Sequence, residues 1–537
     1  MDNSNIKNIT KNTTIMSIAV FLSRILGLIR DQVMTAFFGL GYINDAFNIA
    51  FNIPNLLRQL FGEGAFSAAF VPIYNEFGLK RGKKFQFNFA LNVLSILSFI
   101  LLFFSLIGIV IAPLIVKLIY PGSSVETSVL AIKLCRIMFP YLFFIGLSSS
   151  FIAILNSHNK FFVTGLSSGL LNVGWISFVL FGSFVLKKET YDLVFYAAYG
   201  VMLGGFLQTI INLPILKEVG YRFKIIFRVK TIAMKMLWQR FLPSMIGVGI
   251  RELYLITDAM IASFLSTGAI AALGLGSRLM QLPLGIFGIS VGTAVLPEYA
   301  RLFTNKKWAG ISDTLRYSIH FIIYILAPVS VIMIIGSDIF IKVLFQRGLF
   351  DELAVHMTRL SFIYYTVGLS FFGLNQVITP IFYAAKDTKT PVKIAACMLS
   401  LNIGLKFILM HFMGHAGIAL GTSVTAIVQF IVLLILIKRK LPYIHISSVW
   451  KNMLKLVVII LFLVCTLLLY RYISMELPDS FLMNVLNSTG ILVSSLIIIV
   501  LGFYVLKPEY YIEIKAHILE KFLKKKHGIK QQQQYKI

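Results

Sequence analysis

Four arginines, Arg24, Arg30, Arg58 and Arg278, stand inside long apolar runs. An uncompensated cation there costs about 2.5 to 3.5 kcal/mol at the centre of a bilayer, so each must face a partner or a polar cavity. Arg24 and Asp31 lie seven residues apart and share a helix face, which makes a simple ion pair the plainest alternative for that arginine. Asp45, Asn48, Asn52, Asn55 and Gln59 recur at steps of three and four residues as a polar stripe, with Arg58 on its flank. Pro54 removes a backbone donor beside the stripe and predicts a bend. Further on, Gly274, Arg278, Gln281, Gly285 and Gly288 fall on one helix face, polar and small enough to admit a ligand or another helix. Glu63, Glu252 and Asp258 add buried acids, but if Arg251 takes up Asp258 the four arginines outnumber the deep acids of their helices. Unbalanced guanidinium groups in a membrane imply an anionic ligand, and their planar fork matches phosphate.

The elements that carry these groups follow from composition. The 537 residues are 58% apolar and only 13% charged, with a mean hydropathy of +0.85. A soluble domain carries roughly 25% charged residues, so a water-soluble globule is excluded. Uncharged runs such as 85–116, 193–216, 412–437 and 481–506 exceed the roughly 20 residues that a membrane-spanning helix needs. The pattern predicts an all-α polytopic membrane protein of fourteen helices, near 14–37, 46–74, 88–116, 130–154, 162–186, 193–216, 241–265, 269–299, 317–337, 355–384, 394–410, 416–437, 452–470 and 482–506. Alternate connections carry 34 Lys and Arg on one side and six on the other. By the positive-inside rule both termini are then cytoplasmic, and the net charge of +27 marks topology and attraction to membrane lipids rather than nucleic acid. No cleavable signal is legible, because the first apolar stretch is broken by Arg24.

Other signals are weak. Cys135, Cys397 and Cys465 fall inside spans without zinc or redox spacing, and His411 with His415 has no carboxylate neighbour, so no cofactor is expected. Gly62-Glu63-Gly64 has no nucleotide-loop context. An enzyme acting on a lipid-linked sugar would need a large outer loop with a catalytic acid, and all outer loops are short; a transporter is expected.

An internal repeat divides the chain. Arg24, Asp31, Phe37 and Gly41 recur as Arg251, Asp258, Phe264 and Gly268, each 227 residues on, and Ala46 and Pro72 recur as Ala271 and Pro297. Arg136-Ile-Met-Phe matches Arg359-Leu-Ser-Phe, and Leu171-Asn172 matches Leu401-Asn402. Two six-helix units of even count enter the membrane alike, giving parallel repeats around a central cavity. The expected segments are an N-terminal lobe at 1–217, a basic interfacial linker at 218–240 read as a helix, a C-terminal lobe at 241–440, an added helix pair at 441–506 walling a lipid-tail groove with Leu463, Leu467 and Leu492, and a basic tail at 507–537.

The run Ser23-Arg24-Ile-Leu-Gly27-Leu-Ile-Arg30-Asp31 resembles the MurJ (MviN) family of lipid II flippases, within the multidrug/oligosaccharidyl-lipid/polysaccharide exporter superfamily. The similarity continues through Asp45-Ala46-Phe47, Pro54-Asn55-Leu-Leu-Arg58, Glu63-Gly64-Ala65-Phe66-Ser67, Ser277-Arg278 to Pro283 and Lys386-Asp387-Thr388-Lys389-Thr390-Pro391. Carried over, the family's cavity arginines fall on Arg24, Arg30, Arg58 and Arg278, supported by Asp31 and Asp45, with Ser23, Asn52 and Asn55 beside them. The implied activity is transfer of undecaprenyl-diphosphate-linked disaccharide-pentapeptide to the outer leaflet by alternating access, near the machinery of cell-wall synthesis. Some relatives bind sodium, and Asp258, Asn402 and Thr422 match such ligands, yet Lys406 stands where a second acid is expected. Membrane potential or a monovalent cation is therefore the expected energy source. Other readings are a flippase for another polyprenyl-diphosphate-linked oligosaccharide or a cation-coupled multidrug exporter. A major-facilitator transporter is disfavoured, because 78–87 reads GLKRGKKFQF without its Gly-x-x-x-Asp-Arg loop.

Overall fold

The computed structural model describes residues 3–506 except 61–64, 223, 445–452, 475–477 and 479, and for 3–20 and a few further residues, Arg251 among them, the backbone alone. The expected roles of Glu63 and Arg251 and the basic tail from 507 lie outside what is described. The described chain is helical: α1 (Asn3–Phe38), α2 (Tyr42–Arg58), α3 (Ala65–Arg81), α4 (Lys83–Ile119), α5 (Val125–Met138), α6 (Tyr141–Ser157), α7 (Phe161–Leu180), α8 (Thr190–Ile210), α9 (Asn212–Val219) and α10 (Ile232–Ala262). There follow α11 (Ala269–Pro283), α12 (Ser290–Thr304), α13 (Trp308–Ile335), α14 (Ser337–Phe345), α15 (Glu352–Val367), α16 (Leu369–Ala384), α17 (Lys389–Met413), α18 (His415–Lys440), α19 (Met453–Ser474) and α20 (Phe481–Leu506).

Among the described residues nine helices are long and apolar enough to cross a membrane, and the bent pairs α5–α6 and α15–α16 raise this to eleven. The other three expected spans, 14–37, 46–74 and 241–265, coincide with α1, the α2–α3 pair and α10, the helices that carry most of the in-span charge. The expected 46–74 helix is described as α2 and α3, and 61–64 between them lie outside the described residues. The expected 130–154 helix bends by 45° where Phe139 meets Pro140, a residue that cannot donate into the helical ladder. The 355–384 helix bends by 41° at Gly368, where a Cβ would sit 2.7 Å from Ser423 Oγ.

The chain forms two compact units, residues 1–273 with 345–354, and 274–344 with 355 onward. In the first, α7 packs on α1 and α8. A Cβ at Gly174, Gly200 or Gly204 would lie under 3 Å from the facing helix backbone, so this contact requires small residues. Phe66, Phe70 and Tyr74, four residues apart on α3, stack in line at 5.1 and 5.3 Å. The linker corrects the sequence reading: described residues from 221 to 231 are not helical. The helix restarts only where the Thr231 side chain accepts from Met234 N–H. The alternation of basic and apolar residues from Arg222 to Lys230 has the two-residue period of an extended segment.

In the second unit α16 packs on α12, α13 and α18, and α17 on α18. Asp387 caps α17 by accepting from Thr390 N–H at 3.0 Å and Thr390 Oγ1 at 2.6 Å. The Thr390 hydroxyl, ahead of Lys440, holds its carboxyl down at about 2. Leu463 and Leu467 on α19 are fully buried against Ile332 and Ile339. They form a packed seam there, while Leu492 on α20 is half exposed. Arg471 fixes this pair further, donating to Ile335 O at 2.7 Å and Asp338 Oδ2 at 2.6 Å.

Candidate substrate-binding site

Within the first unit α1 and α7 build a fixed guanidinium. Arg30 donates from Nε and Nη2 to Asp31 Oδ1 at 3.1 and 2.8 Å, and from Nη1 to Asn172 Oδ1 at 3.1 Å. Its Cζ lies 4.6 Å from the centre of the Trp175 ring, a cation–π contact that also sets the plane of the fork. Trp175 is in turn held by Nε1–H donation to Met34 Sδ and by the rings of Phe47 and Phe51 at 4.6 and 5.4 Å. Asn172 donates to Ser23 O at 3.3 Å, and Ser168 Oγ donates to Ser23 Oγ at 3.2 Å. Ser23, Arg30 and Asp31 are therefore brought together. Asn172, Ser168 and Trp175 are the members that sequence reasoning left out as site residues.

Arg24 is different. It is exposed and forms no hydrogen bond or ion pair with a described residue, so the pairing with Asp31 open to it by spacing is not made. On α2, Arg58 Nε donates to Asn55 Oδ1 at 2.9 Å, and both are partly buried, as is Asn52. The outer part of the polar stripe is spent locally: Asn48 donates to Asn44, and Asn44 to Gly39 O.

Asp45 serves as a cap. Its Oδ2 accepts from Gly268 N–H at 2.6 Å and its Oδ1 from Ala271 N–H at 2.9 Å. These amides open α11, whose positive dipole end favours a carboxylate. Arg278 lies on α11 in the second unit, partly buried, beside Ser277, which accepts from Gln281 Nε2 at 2.9 Å.

The expected cation ligands are divided, Asp258 in the first unit and Asn402 and Thr422 in the second. Lys406 is fully buried against Gly421, one helical turn from Asn402. Asn402 Nδ2 donates to Thr425 Oγ1 at 3.2 Å, and Thr422 Oγ1 to Ile418 O at 3.3 Å. Among the described residues no three His, Cys, Asp or Glu side chains gather as metal ligands.

A family model described as lipid II flippase MurJ matches residues 34–487. The chain belongs to the MurJ family. It is 31% identical to the probable lipid II flippase MurJ of Buchnera aphidicola subsp. Acyrthosiphon pisum, over 93% of this chain and 95% of that one. It is 32% identical to the lipid II flippase MurJ of Burkholderia cenocepacia, over 78% and 82% of the two chains. Among solved structures, a lipid II flippase MurJ in an inward closed conformation superposes with a TM-score of 0.72 at 29% identity, over 91% of this chain and 99% of that one. An inward-facing MATE family transporter of the MOP superfamily matches with a TM-score of 0.67 at 15% identity, over 78% and 95% of the chains. That second likeness speaks to fold. MurJ membership makes the chain a transporter of the membrane and gives its arginine-bearing α1 a ligand class to be tested.

Proposed function

We propose that the chain is a lipid II flippase that carries undecaprenyl-diphosphate-linked disaccharide-pentapeptide from the cytoplasmic to the outer leaflet by alternating access. The observation that carries the site assignment is the contrast on α1: Arg30 is locked by Asp31, Asn172 and Trp175, while Arg24 leaves its fork uncommitted. A fixed fork and an uncommitted one on the same helix are the groups proposed to hold the phosphates of a diphosphate. Arg58 and Arg278, with Ser23, Asn52 and Asn55, are the proposed further contacts, and Asp31 holds Arg30. The added pair α19–α20 is proposed to guide the polyprenyl tail on the face that carries Leu492, with cell-wall synthesis enzymes consuming the product. A flippase for another polyprenyl-diphosphate-linked oligosaccharide would use the same arginines.

The cation site is read as occupied by the chain itself. The buried Lys406 ammonium takes the place of a bound sodium ion, which leaves membrane potential as the driving force. Purified protein in vesicles should move fluorescent lipid II between leaflets, equally well in sodium and in choline buffers. Failure to move lipid II while moving a pentapeptide-free analogue would replace the substrate. Strong sodium dependence would remove the role given to Lys406.

Both termini are placed in the cytoplasm by the 34-to-6 split of basic residues. A reporter fused after Leu506 is expected to be active only as a cytoplasmic fusion. Activity on the outer face would reverse the orientation and with it the direction of transport.

A further inference from the structure

The strap between α9 and α10 carries Arg222, Lys224, Arg228 and Lys230, with no acidic residue from Tyr221 to Ile232. All four basic side chains are exposed. So are Ile225 at 87% and Ile232 at 80%, with Phe227 and Val229 more than half exposed. Large apolar side chains interleaved with cations are poorly placed in water and well placed in a headgroup layer, where stems bury and charged heads stay wet.

The strap is held in place rather than loose. Ile226 N–H donates to Ser95 Oγ at 3.1 Å, Arg228 N–H to Asn92 Oδ1 at 2.7 Å, and Asn92 Nδ2 to Arg228 O at 3.0 Å. Tyr221 is buried at its start, donating to Tyr74 OH at 2.8 Å and lying 4.4 Å from the Phe87 ring. Phe227 meets Phe99 edge-on at 5.8 Å. The strap thus rides on α4 between Phe87 and Phe99. The uncharged run of α4, 85–116, is about 48 Å long at 1.5 Å per residue, against roughly 30 Å of hydrocarbon. Upright, the run would exceed the hydrocarbon core by about 18 Å, and the strap packs along the N-terminal part of α4 that follows Lys83 and Lys84.

We propose that the strap is a binding element for anionic phospholipid headgroups of the inner leaflet, its four cations on the phosphates and its Ile, Phe and Val side chains at the acyl boundary. This inference does not depend on what the arginines of α1 carry. The test is amide hydrogen exchange of 221–232 in the full chain, in nanodiscs of phosphatidylcholine alone and with a third phosphatidylglycerol. Exchange is expected to slow about fivefold with phosphatidylglycerol, an effect lost at high salt and lost when Arg222, Lys224, Arg228 and Lys230 are all replaced by Gln. Equal exchange in the two lipids, or protection that survives high salt, overturns the proposal. Should the fourfold variant fail to fold, the salt titration of the parent chain decides alone.

Discussion

Arg24→Ala is expected to leave the melting temperature in detergent unchanged and to abolish lipid II translocation, whereas Arg30→Ala lowers both. The difference follows from partners. Arg24 is exposed and bonds to no described residue, so its removal breaks nothing in the fold. Arg30 neutralises a buried carboxylate, bonds Asn172 and lies over Trp175. Removing Arg30 takes away a charge-assisted hydrogen bond to Asp31, worth about 1.5 to 3 kcal/mol, together with the bond to Asn172 and the contact with the Trp175 ring. For transport, losing a bidentate hold on phosphate removes two charge-assisted hydrogen bonds of about 1.5 to 3 kcal/mol each, on the order of a 100-fold loss or greater. Arg24→Lys should recover only part of it, since a point charge cannot reproduce the fork. Complementation of a flippase-depleted strain, with protein levels followed in parallel, reads both effects. Full growth of the Arg24→Ala strain would remove this residue from the site.

The second large effect belongs to Asp45. Asp45→Ala is expected to cost about 2 to 4 kcal/mol, because two buried backbone amides at the start of α11 lose a charged acceptor together. Asparagine should do little better: it can accept one of the two bonds and turns N–H donors toward the other amide. Thermal unfolding in detergent checks this directly. A variant that melts with the parent chain would mean that water replaces the carboxylate, and Asp45 would return to the list of substrate contacts.

Much of the fold was legible because a bilayer permits few solutions: apolar length, charged punctuation and charge asymmetry suffice to place most helices. The breaks were harder to see. Pro140 was visible but sat in a run apolar enough to read as one helix, and Gly368 bends its helix through contact with a residue 55 positions away. The linker's mixed basic and apolar composition suits an interfacial helix, while the period of two in its basic residues carries the signal of an extended backbone. At the site, the arginines announced themselves by being costly where they stand. Asn172 and Trp175 did not, since an amide and an indole inside an apolar helix look alike whether they support a cation or fill a core. Only the repeat of Leu171-Asn172 as Leu401-Asn402 set Asn172 apart. Asp45 was found by its charge and its partner was not, because backbone amides leave no mark in a sequence.

The clasp of Arg471 on Ile335 O and Asp338 also bears on how the chain is made. The two charged residues are 133 positions apart, so at roughly 5 to 20 residues per second a ribosome delivers the arginine roughly 7 to 27 seconds after the aspartate. Throughout that interval the end of α13 and the start of α14 stand without their cation. Arrival of α19 closes this junction, and a nascent chain released before Arg471 would leave Asp338 without this arginine: a built-in mark by which an unfinished second unit differs from a finished one.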